Sequence, residues 1–600
     1  MATDREKIDK KYKWDLTAIY PDSQAFEADF SAAEQQIKDY PRHEATMSKD
    51  APGLYNALCD LVDMQGKIEL LWQYAHLSYS LNTADNKAQS MMARVRSLAV
   101  SADSASWFVS PTLIRMDGDT VSRFCSEYPD LMRFSRMIDG AQREKPHTLS
   151  DDCEKLMARL GDCMGSHSDI RSVLSNSEIK FGRIKGEGGS SVELSEANYL
   201  TLLTSSDREV RRRAFKRLYK VYKSYSGTLS VTFNAYVKEK CTLAAARSFE
   251  NAITASTFRD EVTPKIYDGL IQSVRQNLDT LYDYYDLKRE ALGLDKLHLY
   301  DVYTSTTPSS EKHFSYEEAI DLVLDTVKVF GQEYHSVMTD GLRRRGWVDV
   351  YPTKAKRGGA FSSGCPGTEP YILMNYTETY NEVSTLAHEG GHSMHSYFSR
   401  KYNEPHNSSY TIFVAEVAST VNELLLAHKR LAESDSVSEK LYILDKIMDT
   451  YRATLYRQTM FAEFEKLVYS LVEGGTPLTA DVLNREYKAL VDDYFGPRVV
   501  CDPEISYEWS RIPHFYMNFY VYKYATCISA ASAIVKRIEN EGDAYVEKYI
   551  EFLKCGGSKS PLDSLRVAGI DMEDTSVIDG AIEDFKAAIA EYRRLSSELK

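Results

Sequence analysis

NEVSTLAHEGGHSMHSYF, residues Asn381–Phe398, contains His388-Glu389-Gly390-Gly391-His392, a match to H-E-x-x-H. On a helix, positions i and i+4 lie about 40° apart on one face. Both imidazoles therefore reach one ion, and neutral imidazole nitrogen suits Zn²⁺. Glu389 follows the first His and points beside that ion, where a general base takes a proton from a zinc-bound water. With 13 His in 600 residues, a chance match arises on the order of a few per cent of the time, so its context matters. Val383, Leu386 and Ala387 make the preceding turn apolar, which predicts a buried helix. The Gly390-Gly391 pair costs roughly 2 kcal/mol of helix propensity relative to Ala. A surface helix gains nothing from that pair; close approach of substrate or a neighbouring helix explains it.

A catalytic zinc site takes a third protein ligand and keeps one position open. His395, Glu404, His406 and Glu416 are the downstream candidates. His395 shares the face of His392, and three ligands stacked on one straight helix surround a tetrahedral ion poorly. The extended H-E-x-x-H-x-x-G-x-x-H pattern needs a His at the position of Phe398 and is excluded. Glu416 sits in FVAEVASTVNELLLAH, Phe413–His428, a second amphipathic helix. A crossing helix delivers a carboxylate from another direction. Glu423, seven residues on, shares that face; it either orients a ligand imidazole or makes an interhelical salt bridge.

Outward from this segment the apolar spacing is mostly helical, as in Val210, Phe215, Leu218 and Val221, and in Ile578, Ile582, Phe585, Ile589 and Tyr592. Two regions break it. KFGRIKGEGGSSVELSEANY reads as a hairpin around Gly186–Ser191, followed by a helix capped by Ser195. Trp347–Tyr376 carries short apolar runs, Val348–Tyr351 and Tyr371–Met374, separated by Gly and Pro, and predicts a small sheet. A domain boundary near residue 200 follows, with an N-terminal helical domain over 1–200 and a catalytic domain over 201–600. The basic run from Arg211 to Lys223 is expected to be the solvated face of a helix.

Composition limits the remaining choices. Lys+Arg is 73 and Asp+Glu is 88, a net charge of −15, which disfavours nucleic acid and anionic membranes. No apolar run reaches the ~18 residues of a membrane span, and no secretory signal or nucleotide loop is visible. The nine dispersed cysteines, with no CxxC pair, predict reduced, buried thiols in a cytoplasmic protein. No obligate protein partner is evident. The deaminase PCxxC signature is absent, and an intact Glu389 argues against a catalytically dead peptide carrier.

TLAHEGGHSMHS followed by FVAEVASTVNE resembles the zinc oligopeptidases related to thimet oligopeptidase, and within them the oligoendopeptidase F branch. YKWDLTAIY (Tyr12–Tyr20), KRGGAFSSGCPGTEPYILMNY (Lys356–Tyr376) and WSRIPHFYMNFYVYKYATCISA (Trp509–Ala530) resemble further parts of that branch, so the likeness covers nearly the whole chain. The resemblance implies a mostly α, multi-helical fold with a small sheet beside a deep channel that encloses the zinc site. It implies one Zn²⁺ per chain on His388, His392 and Glu416, Glu389 as base, and cleavage of oligopeptide substrates at internal bonds. His514 and members of the set Tyr516, Tyr520 and Tyr522 are implied to face substrate, with His514 and Tyr522 as catalytic donors to the oxyanion. The period of two at Tyr520, Tyr522 and Tyr524 does not suit one helix face, so part of this set must be core. Gly358, Gly359 and Ala360 lead into a sheet edge that can pair with substrate backbone. The branch usually carries a large apolar residue where this chain has Gly390.

Overall fold

Helix dominates the described residues, 4–307 and 313–598, of this computed structural model, as the apolar spacing predicts. Seven helices matter most for the site: α1 (Ala51–Leu81), α2 (Arg208–Ala246), α3 (Gly331–Arg343), α4 (Tyr380–Tyr402), α5 (Ile412–Glu433), α6 (Arg457–Glu473) and α7 (Tyr522–Glu541). The strands are short: β1 (Arg183–Lys185), β2 (Ser191–Glu193), β3 (Leu297–His298), β4 (Val348–Asp349), β5 (Phe361–Ser363), β6 (Tyr371–Leu373) and β7 (Val499–Val500). The chain forms two compact units, each from three stretches. The first comprises Met1–Pro146, Lys312–Leu426 and Ile534–Gly569; the second comprises His147–Glu311, Ala427–Ala533 and Ile570–Lys600. These boundaries differ from a single division near residue 200.

In the first unit the two apolar runs become β4 and β6, which pair in parallel with Val348 opposite Ile372. β5 adds to β6 antiparallel, giving the order β4-β6-β5 and leaving β5 at an edge. The YKWDLTAIY segment anchors this sheet. Trp14 donates its indole N–H to the Trp347 carbonyl at 2.7 Å and meets the Tyr371 ring edge-on at 5.7 Å. Asp349, the second residue of β4, is buried and is held by Arg5 and by Lys356, whose side chain is itself shielded from solvent. Two charges out of water are tolerated only in pairs of this kind.

α4 starts at Thr379, whose side chain accepts from the Glu382 N–H. A threonine cap satisfies one of the amides that a helix start leaves open. Beyond it Val383, Leu386, Ala387, Gly390, Gly391, Met394 and Phe398 are all buried, so α4 is enclosed on several sides. The two glycines have separate causes. A Cβ on Gly391 would lie 2.6 Å from both the Ala418 carbonyl oxygen and the Ser419 Cα of α5. That neighbour is backbone and cannot yield. A Cβ on Gly390 would meet the terminal methyl of Met338 from α3. The buried Met338 thus fills the room that a large side chain at 390 would take, and flexible thioether side chains fit such gaps.

In the second unit the hairpin forms as predicted, with Ile184 opposite Val192, and Ser195 caps the helix Glu196–Leu203 in a capping box with Asn198. The basic run on α2 is less wet than expected. Arg211 is buried and, with Arg208, grips the fully buried Asp301. Arg212 pairs with Glu209, and Arg217 donates to the Phe181 carbonyl. Lys216, Lys220 and Lys223 are exposed, so the run is a solvated face at those positions and an internal anchor at Arg211. The cysteines also depart from expectation: all nine are free thiols, but only Cys365, Cys527 and Cys555 are buried, and Cys153 and Cys163 are exposed. No described helix is long and apolar enough to cross a membrane.

Gly391→Ala gains roughly 1 kcal/mol of helix propensity but forces α4 and α5 apart, a change that typically costs 1–3 kcal/mol or more. Thermal melting is expected to show a clear loss for Gly391→Ala and a smaller one for Gly390→Ala, because only Met338 has to move. Equal melting temperatures for the two variants would contradict this reading of the crossing.

Candidate metal centre

The close crossing at Gly391 brings α5 over the H-E-x-x-H face of α4. The Nε2 atoms of His388 and His392 lie 3.1 Å apart, and Glu416 Oε2 is 3.4 Å from the first and 3.5 Å from the second. These three are the group among the described residues whose donor atoms gather within metal-binding reach. Three ligand atoms held about 2.0–2.1 Å from one centre at tetrahedral angles are about 3.3 Å apart, so the triangle has the size that Zn²⁺ requires. Two imidazole nitrogens this close cannot both carry protons comfortably; a shared cation resolves that conflict. Two neutral imidazoles and a carboxylate are also the donor types that zinc accepts.

The surrounding groups orient this set. Glu423 Oε1 is 3.5 Å from His388 Nδ1, which favours the tautomer that leaves Nε2 free. Ser384 donates to the same carboxylate oxygen at 3.4 Å. Burial opposes a proton on His388, but the carboxylates of Glu423 and Glu416 outweigh it, and its pKa stands well above the usual imidazole range. Burial likewise opposes charge on Glu416, yet the two imidazoles beside it hold its pKa well below the usual carboxylate value.

Glu389 differs. It is buried on α4, and its Oε2 has no hydrogen-bond partner among the described residues. Burial raises its pKa against the pull of His388 and His392. A buried carboxyl oxygen left unpaired is costly, and here it stands one residue from a ligand candidate.

The other ligand candidates are occupied elsewhere. His395 stacks on Tyr410 with ring centroids 3.7 Å apart, and burial pushes its pKa down to about 3. His406 Nε2 is 2.9 Å from the Arg133 carbonyl oxygen, and Glu404 pairs with Arg133. Three contributors were not singled out in the sequence. Asn422 donates to the Ala387 carbonyl at 3.1 Å, and Tyr334 donates to Asn422 at 3.2 Å, which pins the crossing one residue before His388. A lone amide in the apolar run VASTVNELLLA is the signal that marks Asn422. Met338 carries no such signal.

At the sheet, Gly358 and Gly359 are exposed and Ala360 is half-buried just ahead of edge strand β5. Gly359 has φ +79°, which glycine adopts without strain, and its carbonyl accepts from Asn375 at 2.8 Å. Ser362 of β5 and Ser393 of α4 share a hydrogen bond of 2.9 Å, so the edge strand is fixed to the metal helix.

His514, Tyr516, Tyr520 and Tyr522 belong to the second unit. His514, Tyr516 and Tyr520 are half-buried. His514, Tyr520 and Tyr524 form one ring cluster, with centroid distances of 5.5–6.0 Å. Tyr516 packs against Phe233 and Tyr236 instead. Tyr522, expected to face substrate, is not part of that ring cluster. It is fully buried against Tyr267, and its hydroxyl donates to Asp260 at 3.2 Å.

An H-E-x-x-H helix crossed by a Glu-bearing helix, on a mostly helical frame with small sheets, defines a metallopeptidase-type centre. The chain belongs to peptidase family M3, whose model matches residues 201–584, and a second model described as oligopeptidase F matches residues 113–181. It is accordingly a peptidase. Among its relatives, Oligopeptidase PepF of Bacillus subtilis is 38% identical over 597 residues, spanning 100% of this chain and 89% of that protein. An Oligoendopeptidase F homolog of Lactococcus lactis is 33% identical over 600 residues and 99% of each chain. The crystal structure of oligoendopeptidase-F from Enterococcus faecium has a TM-score of 0.77 at 32% identity, covering 96% of this chain and 99% of that one. A crystal structure from Chlamydophila abortus has a TM-score of 0.92 at 34% identity, covering 99% and 100%.

Removing Glu416 breaks the triangle, and among the described residues no other carboxylate belongs to the group. Glu416→Ala is expected to lose most of its bound zinc by elemental analysis while His395→Ala keeps it. Stoichiometric zinc in Glu416→Ala would move the third ligand elsewhere.

Proposed function

We propose that the chain is a zinc-dependent oligoendopeptidase that hydrolyses internal bonds of short peptides, with one Zn²⁺ held by His388, His392 and Glu416. The observation that carries this reading is the 3.1–3.5 Å donor triangle beside the unpaired Glu389 oxygen. When bound, Zn²⁺ supplies a Lewis acid that polarises the scissile carbonyl and lowers the pKa of water toward 7. Glu389 accepts a proton from the attacking water and then gives it to the leaving amine, both through one carboxylate. Glu423 keeps His388 in the tautomer that presents Nε2.

Edge strand β5 and the Gly358-Gly359-Ala360 approach to it offer backbone N–H and C=O groups to an extended peptide. Such pairing recognises a peptide independently of its side chains. The family resemblance is what supports the half-buried His514, Tyr516 and Tyr520 as candidate donors to the developing oxyanion, and the buried Tyr522 is not among them. The relatives' names, oligopeptidase and oligoendopeptidase F, support short peptides as the substrate class.

Glu389→Gln keeps size and leaves the ligand triangle intact but removes the proton acceptor. General-base assistance is typically worth about 10²–10⁴-fold. The variant is expected to bind zinc normally and keep its KM for a quenched fluorescent peptide, while kcat falls by at least about 10²-fold. Near wild-type activity, or inactivity caused only by lost zinc, would overturn the assignment. On the same assay, extended peptides are expected to be cut while folded globular proteins are spared; comparable rates on both would contradict the substrate class.

A further inference from the structure

Asn518 and Phe519 form a turn in which two successive non-glycine residues have positive φ, +50° and +58°. L-residues rarely adopt this region, and for a bulky residue it is an outlier that persists only when its surroundings impose it. Phe519 is also buried, so the turn is not a loose surface feature. Three contacts impose it. The Phe519 N–H donates to Glu465 Oε1 of α6 at 2.5 Å. The Ser256 hydroxyl donates to the Asn518 carbonyl at 2.9 Å. The Phe519 ring packs on Tyr469 and Tyr267, at 4.4 Å and 5.7 Å.

Glu465 is fully buried, and its second oxygen has no hydrogen-bond partner among the described residues. A carboxyl in such a place destabilises the fold relative to an apolar side chain of similar size unless it holds something in place. What it holds is one amide, at the turn that divides His514 from Tyr520. With the turn in place, His514 and Tyr520 stack at 5.9 Å and 15°, while Tyr522 goes into the core against Tyr267. The period of two among these tyrosines is thus sorted into an outward and an inward set, and the left-handed turn immediately precedes the sorting.

We propose that Glu465 is a positioning residue for peptide hydrolysis: its buried carboxyl locks the Asn518–Phe519 turn and, through it, orients His514 and Tyr520. This rests on the reading above in which those two side chains face substrate. Burial pushes the Glu465 carboxyl up to about 8 against the pull of the Phe519 N–H and of Lys523, which is itself paired with Asp260. The group is therefore neutral near pH 7, and Gln imitates it closely.

The test uses the full zinc-loaded chain and a quenched fluorescent peptide. Glu465→Leu is expected to keep its zinc and lose kcat by about 10-fold or more, with a smaller change in KM, as a misplaced catalytic group does. Glu465→Gln retains the acceptor for the Phe519 amide and is expected to recover most of that loss. Asn518→Gly, which adopts positive φ freely, is expected to restore part of the activity when added to Glu465→Leu. If Glu465→Leu does not fold, Ser256→Ala loosens the same turn from the other side, with a kcat loss again reduced by Asn518→Gly. Wild-type kcat in Glu465→Leu, or in Ser256→Ala where the former does not fold, overturns the proposal. So does a loss that neither Gln nor Asn518→Gly relieves, since it would mark a purely structural role. Full activity of His514→Ala removes the reading beneath the proposal and the proposal with it. Wild-type protein that fails to cut peptides sinks the proposed function itself.

Discussion

The centre depends on one close approach: the backbone of α4 at Gly391 against the backbone of α5 at Ala418 and Ser419, too near for any side chain between them. H-E-x-x-H on a helix supplies two donors on one face and cannot supply a third from a useful direction. Glu416 reaches the imidazoles because α5 is this close and crosses at this height. The Asn422 amide on the Ala387 carbonyl and the Tyr334 hydroxyl on Asn422 fix that height. Met338 closes the gap that the neighbouring Gly390 leaves. A costly glycine pair in the middle of a long helix is thus accounted for by packing on two different sides.

The same helix ties the centre to the sheet. Ser393, next to His392, meets Ser362 of the edge strand. β6 behind it is fixed through β4 to the buried Asp349 and, by way of Trp347, to Trp14. The N-terminal YKWDLTAIY segment, far from the ligands in sequence, therefore supports the strand that stands against the metal helix. Rigid elements placing donors within fractions of an ångström are what a metal site needs.

Much of this was legible in the residues. Spacing alone marks His388 and His392, because a four-residue repeat puts two side chains on one face. The apolar turn before them marks the helix as buried. The two apolar runs in Trp347–Tyr376 mark β4 and β6, and Ser195 marks a helix start. Local spacing could not choose among His395, Glu404, His406 and Glu416, since that choice depends on a crossing between helices. It was equally blind to Met338, whose role is to fill volume. Tyr522 shows the limit most clearly. Its neighbours Tyr520 and Tyr524 join one ring cluster while it turns inward to Asp260, directly after a left-handed turn at Asn518 and Phe519. No propensity predicts positive φ at a buried Phe. Arg211 was misjudged for a related reason: it has the composition of a wet helix face, but its partner Asp301 lies 90 residues away in sequence.

The central claim is that two imidazoles and one carboxylate from crossing helices hold a single zinc ion. X-ray absorption at the zinc edge, on protein loaded with one equivalent of metal, addresses it without reference to activity. The account predicts a low-coordinate nitrogen and oxygen shell at about 2.0–2.1 Å, with multiple scattering from two imidazole rings and no sulfur. A sulfur shell near 2.3 Å, or the absence of imidazole scattering, would contradict it.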